Sequence, residues 1–354
     1  MTGFLHRIGI DLPIIQAPMA GTSTPALAAS VCEAGALGSI AVGATDAAGA
    51  AWMIAETRAR TARPFNVNLF CHAPATPDPA RATAWIDALR PTFARFDAEP
   101  PIMLREIYTS FVADDAMLEM LLDERPAVIS FHFGLPNAAR IAALKATGAL
   151  LIATATSLAE ARACVAAGID AIVAQGIEAG GHRGMFDPSA PDDRLGTLPL
   201  VRLLATRIDR PVIAAGGIMD GAGIAAALAL GATAAQLGTA FIACPESAAD
   251  AGHRAALMSA DTARTRLTDA ISGRPARCLD NAFTALGETL AAVDRPDYPI
   301  AYDAGKALAA AARAQGDAGY GAWWAGQGAP LARALTAADL VATLADEWRQ
   351  ARVR

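Results

Sequence analysis

Eight short apolar runs, each followed by a stretch with helical spacing, recur along the first two-thirds of the sequence. No other feature restricts the fold as tightly. The runs begin near residues 13, 37, 65, 127, 150, 171, 211 and 234. Each is about as long as a parallel strand covered on both faces by helices. Helix signals fall between them: Ser23 or Thr24 can cap a helix with Pro25 in its first turn, and Ser157 can cap the helix that begins at Leu158. Eight parallel strands joined by right-handed crossovers close on themselves, so the predicted fold is α/β, a (β/α)8 TIM barrel. An open doubly wound sheet would need G-x-G-x-x-G after the first strand, and the APMAGTSTP segment from Ala17 to Pro25 lacks it.

The alternation breaks once, after Cys71. Residues 1–71 and 127–245 are assigned to the barrel, and 72–126 to a helical insertion with helices expected over 79–96 and 112–122. Residues 246–354 are expected to form a C-terminal helical region packing over the substrate pocket; with the insertion it makes a smaller second domain. A hydrophobic fraction of 54% against 18% charged residues supplies the core such an assembly needs. The net charge of −6, without any Lys/Arg run, gives no case for a nucleic-acid partner. The five cysteines are widely spaced and never form C-x-x-C, which points away from a disulfide framework and toward a reduced, cytoplasmic setting. No apolar run approaches the ~20 residues of a spanning helix, and the N-terminus lacks the core of a secretory signal, so no membrane association is expected.

The chemistry concentrates at strand ends. At Ala171–Gly184, AIVAQGIEAGGHRG, an apolar run stops at Gln175 and gives way to glycines around His182, with Glu178 and Arg183 alongside. His182 is the one group there whose ordinary pKa lies near neutrality. Gly216-Gly217 and Gly238-Thr239 follow the last two strands, where barrels commonly build a phosphate site. Neither turn holds a lysine, so backbone amides would have to neutralise the phosphate. Gln16, Asn68, Gln175 and Gln236 offer amides at strand ends, matching the alternating donors and acceptors of a flavin ring. No H-x-x-x-H, D-x-D or Ser-His-Asp pattern is present, so no metal is expected. FMN, with its single phosphate, fits the pattern.

The segments PIIQAPMAGTSTPALAA, FNVNLF, VISFHFGLP, AQGIEAGGHRG, AAGGI and QLGTAF, in that order, resemble the flavin-dependent nitronate monooxygenases, once called 2-nitropropane dioxygenases. The resemblance runs from about residue 13 to the C-terminus. It implies oxidised FMN held by Asn68, Gln175, Gly180, Gly217 and the run Gln236, Leu237, Gly238 and Thr239, with Met19 beside the ring. It also implies a pocket over the flavin containing His132 and His182, and oxidation of alkyl nitronates, including propionate 3-nitronate, by O2 to carbonyl compounds with loss of nitrite or nitrate. The partners expected are therefore a small-molecule nitronate and O2, with the chain a monomer or homodimer.

His182 is the candidate for the central role. Protonated, it would hold the nitronate oxygens; neutral, it could remove the α-proton of a nitroalkane. His132, at the end of the fourth strand, is the second contact. Tyr298, Tyr302 and Lys306 are four apart and would share one helix face. That spacing alone also describes an amphipathic helix with packed tyrosines and a solvated lysine. The resemblance makes them substrate contacts, with Lys306 supplying charge for an acidic nitronate and Tyr108 closing the pocket from the insertion. Trp323-Trp324 is read as a packing anchor, Cys71 as a small buried hydrophobe, and Ser272 to Arg277 is left outside the site. Two other functions suit such a barrel: NAD(P)H-dependent reduction of quinones or enoyl thioesters on FMN, and flavin-free sugar-phosphate chemistry. The second ranks lower because no paired carboxylates or lysine base stand at strand ends.

Overall fold

The computed structural model describes residues 3–259 and 264–352. Helix α1 (Gly3–Arg7) precedes β1 (Ile14–Gln16), α2 (Pro25–Glu33), β2 (Ser39–Ala41), α3 (Ala47–Arg58) and β3 (Asn66–Phe70). Two helices, α4 (Pro79–Ala94) and α5 (Asp115–Glu124), separate β3 from β4 (Val128–His132). Then come α6 (Ala138–Ala146), β5 (Leu150–Ala155), α7 (Leu158–Ala166), β6 (Ala171–Gln175), β7 (Gly181–His182) and α8 (Thr197–Arg207). Strand β8 (Val212–Ala215), α9 (Gly221–Ala229) and β9 (Ala234–Leu237) complete the repeating part. The remainder holds α10 (Thr239–Ile242), α11 (Ala251–Leu257), β10 (Thr265–Thr268), β11 (Ala276–Leu279), α12 (Ala282–Thr289), α13 (Ile300–Ala314) and α14 (Ala337–Ala351).

Eight strands form one parallel sheet in the order β1-β9-β8-β6-β5-β4-β3-β2. Leu37, just before β2, closes the ring: its N–H donates to Ile14 O (3.0 Å) and its carbonyl accepts from Gln16 N (2.9 Å). The expected TIM barrel is therefore present. Side chains alternate along each strand. Ile15, Val128, Ile152, Val173 and Ile213 fill the interior, where Phe4, Leu5 and Ile8 of α1 and the turn after it pack among them and seal the N-terminal end. Ile14, Val67, Ile129, Leu151 and Ile172 belong to the larger core shared with the helices. Sealing one end leaves the C-terminal strand ends as the mouth.

Thr24 caps α2 by accepting from Leu27 N, with Pro25 in the first turn, whereas Ser23 binds Gln16 Nε2 and Met19 N instead. Ser157 caps α7 through Glu160 N.

Three features depart from the sequence reading. Helix α5 packs on α3 and α6, with Met117 and Leu121 in the main core, so the second half of the 72–126 segment is the barrel's own crossover helix. Helix α14 packs on α9 and α2, taking the eighth place in the outer ring rather than lying over the pocket. A parallel strand buried on both faces needs a helix over it, and these two supply the cover. Finally, the 246–354 region is not wholly helical. Strands β10 and β11 form an antiparallel hairpin, and β11 pairs with β7 through Ala276 opposite His182 and Arg277 opposite Gly181. A second core joins α4, α12 and α13 through Trp85, Phe93, Phe283 and Leu308. Among the described residues no helix is long and apolar enough to cross a membrane.

Candidate active site

The C-terminal strand ends open into a cavity of about 380 Å3, within the range of small-molecule sites. Gly216 and Gly217 follow β8 with φ of +129° and +70°, a backbone that turns sharply without side chains in the way. Gly238 and Thr239 follow β9, and Thr239 Oγ1 accepts from Gly326 N at 2.9 Å, leaving its hydroxyl hydrogen to donate. At Gly180 a Cβ would lie 2.5 Å from Gly326 N, so only glycine lets the two backbones meet. Gly180, Gly217, Gly238, Thr239 and Met19 all line the cavity.

The amides sort into three kinds. Asn68 lines the cavity and donates through Nδ2 to Ser130 Oγ (2.9 Å), which leaves Oδ1 as an acceptor. Gln236 lines it with no hydrogen-bond partner among the described residues. Gln175 also lines it, yet its side chain is engaged: Nε2 donates to His182 O (3.0 Å) and Oε1 accepts from Gly184 N (2.7 Å), splinting the glycine loop to β6.

Two expectations fail here. Gln16 is fully buried between Ser23 and the Ser39 amide and does not reach the mouth. Leu237 points the other way along β9, into the core, because alternation puts Gln236 and Gly238 on the cavity side. Glu178 and Arg183 are structural as well: Glu178 accepts from Thr197 at the start of α8, and Arg183 pairs with Asp192 at 2.9 Å.

This donor set fits FMN. Glycine-freed backbone amides at β6, β8 and β9 suit one phosphate, and uncharged amides suit the ring; among the described residues no His/Cys/Asp/Glu group could hold a metal.

His182 stands at the centre of the other wall. Pairing of β7 with β11 holds its backbone, and its ring packs against Trp324 (5.0 Å), Tyr298 (5.3 Å) and Phe133 (5.6 Å). Ser272 Oγ, 2.9 Å from His182 Nε2, donates its own hydrogen to Arg274 O (3.2 Å). The Ser272 contact fixes the orientation of the ring, with Nδ1 on the edge away from Ser272. Burial, then the neighbouring His132 and Arg274, push the ring's pKa down to about 3, so His182 is neutral at pH 7. Of the two protonation states considered for it, burial favours the neutral one.

His132 has both nitrogens engaged: Nε2 donates to His182 O (3.2 Å), and Nδ1 then accepts from Thr154 Oγ1 (3.1 Å). Burial holds its pKa near about 4. Its ring borders the cavity, but its bonds serve to hold the His182 strand.

Tyr298, Tyr302, Lys306 and Tyr108 all line the cavity. Tyr298 is not on the helix: it precedes Pro299, and α13 starts at Ile300, so only Tyr302 and Lys306 share the helical face. Lys306 Nζ lies 5.0 Å from the Tyr108 ring centroid and 5.4 Å from that of Tyr302. Burial lowers the Lys306 pKa, opposed by Asp303. Burial raises the Tyr108 phenol to about 12 and the Tyr298 and Tyr302 phenols as well, so all three remain O–H donors.

Sequence reasoning missed Ser272, Arg274 and Trp324. Trp324 lines the cavity, while Trp323 stacks on His253 as packing. The segment Ser272 to Arg277 was set aside in a region expected to be helical, and nothing local in the sequence says that a hairpin there pairs with β7.

A family model described as nitronate monooxygenase matches residues 3–347. The chain is 62% identical over 346 residues to the nitronate monooxygenase of Paraburkholderia phytofirmans, covering 98% of this chain and 94% of the relative. It is 56% identical to the Pseudomonas aeruginosa nitronate monooxygenase over 98% of this chain and 99% of that one. A crystal structure of nitroalkane oxidase from Streptomyces ansochromogenes superposes with a TM-score of 0.91 at 44% identity, covering 99% of both chains.

Proposed function

The chain belongs to the nitronate monooxygenase family, enzymes that oxidise nitronates, and from that membership we propose that it binds FMN and oxidises alkyl nitronates, propionate 3-nitronate in particular. O2 is the oxidant, and the products are a carbonyl compound with nitrite or nitrate. The observation that carries this reading is Lys306. Among the described residues it is the only lysine or arginine lining the cavity, whose other walls are neutral amides, phenols, imidazoles, glycines and apolar side chains. One cation between two tyrosine rings is suited to one carboxylate.

When bound, FMN supplies an acceptor for electrons from the electron-rich nitronate. The chain's own residues do the rest. Gly217, Gly238 and Thr239 offer amides and a hydroxyl to the phosphate, and Asn68 and Gln236 offer amides to the ring. A nitronate has already lost its α-proton, so its oxidation needs no base, and a neutral His182 is compatible with it. The buried hydroxyl of Tyr298, without a partner among the described residues, is a donor to a nitronate oxygen.

The test compares propionate 3-nitronate with propyl 1-nitronate, which lacks the carboxylate, by nitrite release from the native protein and Lys306→Met. The variant should raise KM for the dianion by about tenfold and leave the monoanion little changed. An equal effect on both, or neither nitrite nor nitrate from either with the native protein, overturns the reading. Heat release of the bound chromophore should give FMN.

A further inference from the structure

Arg274 lies between β10 and β11, outside the cavity lining, with 3% of its surface exposed. Its Nη2 donates to the Met185 carbonyl and its Nε has no partner. Among the described residues no carboxylate pairs with it. Glu160 and Asp187, whose fields reach it, are engaged elsewhere: Glu160 accepts from Thr156 and Phe186 N, and Asp187 from Ser189. A buried cation without a counter-ion is costly, so something else must compensate for it.

Part of the compensation is Phe133, whose ring centroid lies 4.3 Å from the guanidinium carbon. The far edge of that arrangement is the substrate wall. Phe133 meets His182 edge-on at 5.6 Å, His182 meets Tyr302 at 6.1 Å, and Lys306 sits over Tyr302 at 5.4 Å. His182 thus stands between two cations, each one aromatic ring away. Lys306 is exposed to solvent and Arg274 is not.

We propose that Arg274 is a positioning residue for nitronate oxidation, the buried positive pole that draws the nitronate group to the His182 end of the cavity while Lys306 takes the carboxylate. This rests on the substrate reading above. A dianion such as propionate 3-nitronate then spans both poles in a single orientation, and a monoanion relies on Arg274. The field of Arg274 already reaches the wall: after burial it contributes to keeping His72, His132 and His182 neutral. Salt screens an exposed charge strongly and a buried one weakly, so the two poles are separable in solution.

The experiment uses the FMN-loaded protein with Arg274→Met and Arg274→Lys, their folding checked by Tm and retained flavin. Arg274→Met should raise KM for propyl 1-nitronate roughly tenfold with a much smaller change in kcat. It should also raise the midpoint of the His182 ring titration read by NMR. The other groups facing that ring (His72, His132, Tyr298 and Tyr302) stay in place, so the shift reports the guanidinium. Arg274→Lys should restore most of both. Equal impairment in the two variants, or no change in either readout, overturns the proposal.

If Arg274→Met does not fold, salt decides on the native protein: KM for the monoanion should stay flat while that for the dianion rises, and an equal rise contradicts the proposal. If the native protein oxidises neither nitronate, the substrate reading has failed. The His182 midpoint in Arg274→Met, or in Arg274→Gln where the methionine variant does not fold, then still tells whether Arg274 governs the ring.

Discussion

His182 Nε2 lies 2.9 Å from Ser272 Oγ, a bond between residues 90 positions apart. It ties the turn of the β10–β11 hairpin to the loop after β6. The same hydroxyl lies 3.2 Å from Arg274 O, so one side chain joins the ring to the hairpin turn. The hairpin therefore holds the ring in one orientation at the wall of the cavity.

Ser272→Ala should remove that control. A half-buried imidazole nitrogen and a buried carbonyl each lose a partner, at a cost of about 1–3 kcal/mol in stability. The kcat/KM for propionate 3-nitronate should fall about tenfold while flavin stays bound. Ser272→Thr, which keeps the hydroxyl, should recover part of it. Steady-state kinetics on both variants checks this, and wild-type kinetics in Ser272→Ala would contradict it.

Acid should destabilise the fold in a particular window. Burial holds His182 near about 3, and His72, His132 and His253 near about 4, all below the ordinary 6.5. Above about pH 6.5 these rings are neutral in both folded and unfolded chains. Below it the unfolded chain takes up protons that the folded chain refuses, so stability declines until the folded rings titrate near 3 to 4. Each ring near 4 contributes up to about 3 kcal/mol of loss and His182 up to about 5 kcal/mol. Urea midpoints from pH 8 to 4 should stay level and then drop below about 6.5; a midpoint independent of pH would contradict this.

Gly180→Ala places a Cβ 2.5 Å from Gly326 N and 2.6 Å from the Ala325 carbonyl carbon. These are backbone atoms that cannot rotate away. Stability should fall by about 1–3 kcal/mol, and FMN affinity should fall with it, because the same loop lines the cavity. Calorimetric titration of the apoprotein with FMN measures the second effect.

Gln16→Leu separates structure from site. Gln16 Oε1 accepts from Ser39 N at 2.8 Å, and losing it leaves a buried amide unpaired. The expected cost is about 1–3 kcal/mol with kcat unchanged. Lost turnover at unchanged stability would return Gln16 to the site.

The barrel was legible because periodicity is local. Strand and helix positions follow from runs such as Ala171 to Gln175 and from caps such as Thr24 and Ser157, and the crossover rule does the rest. Much of the cavity wall was legible because its residues stand at or near strand ends, as Gln175 and Gln236 do. What stayed hidden depends on long-range pairing or on side-chain direction. Leu237 is adjacent to cavity residues yet faces the core, and Tyr298 has the helical spacing but lies ahead of the helix. Ser272 and Arg274 gain their meaning only when β11 meets β7, a pairing with no local signature. Helices α5 and α14 were assigned away from the barrel because the segments preceding them are long, although the strands needed their cover.

The most direct measurement is an anaerobic spectral titration of the purified protein with propionate 3-nitronate, followed by admission of air and assay of nitrite. The account predicts that the flavin bands bleach on addition of the nitronate and return with air, and that nitrite appears. A spectrum indifferent to the nitronate but bleached by NADH would contradict it and favour the reductase chemistry instead.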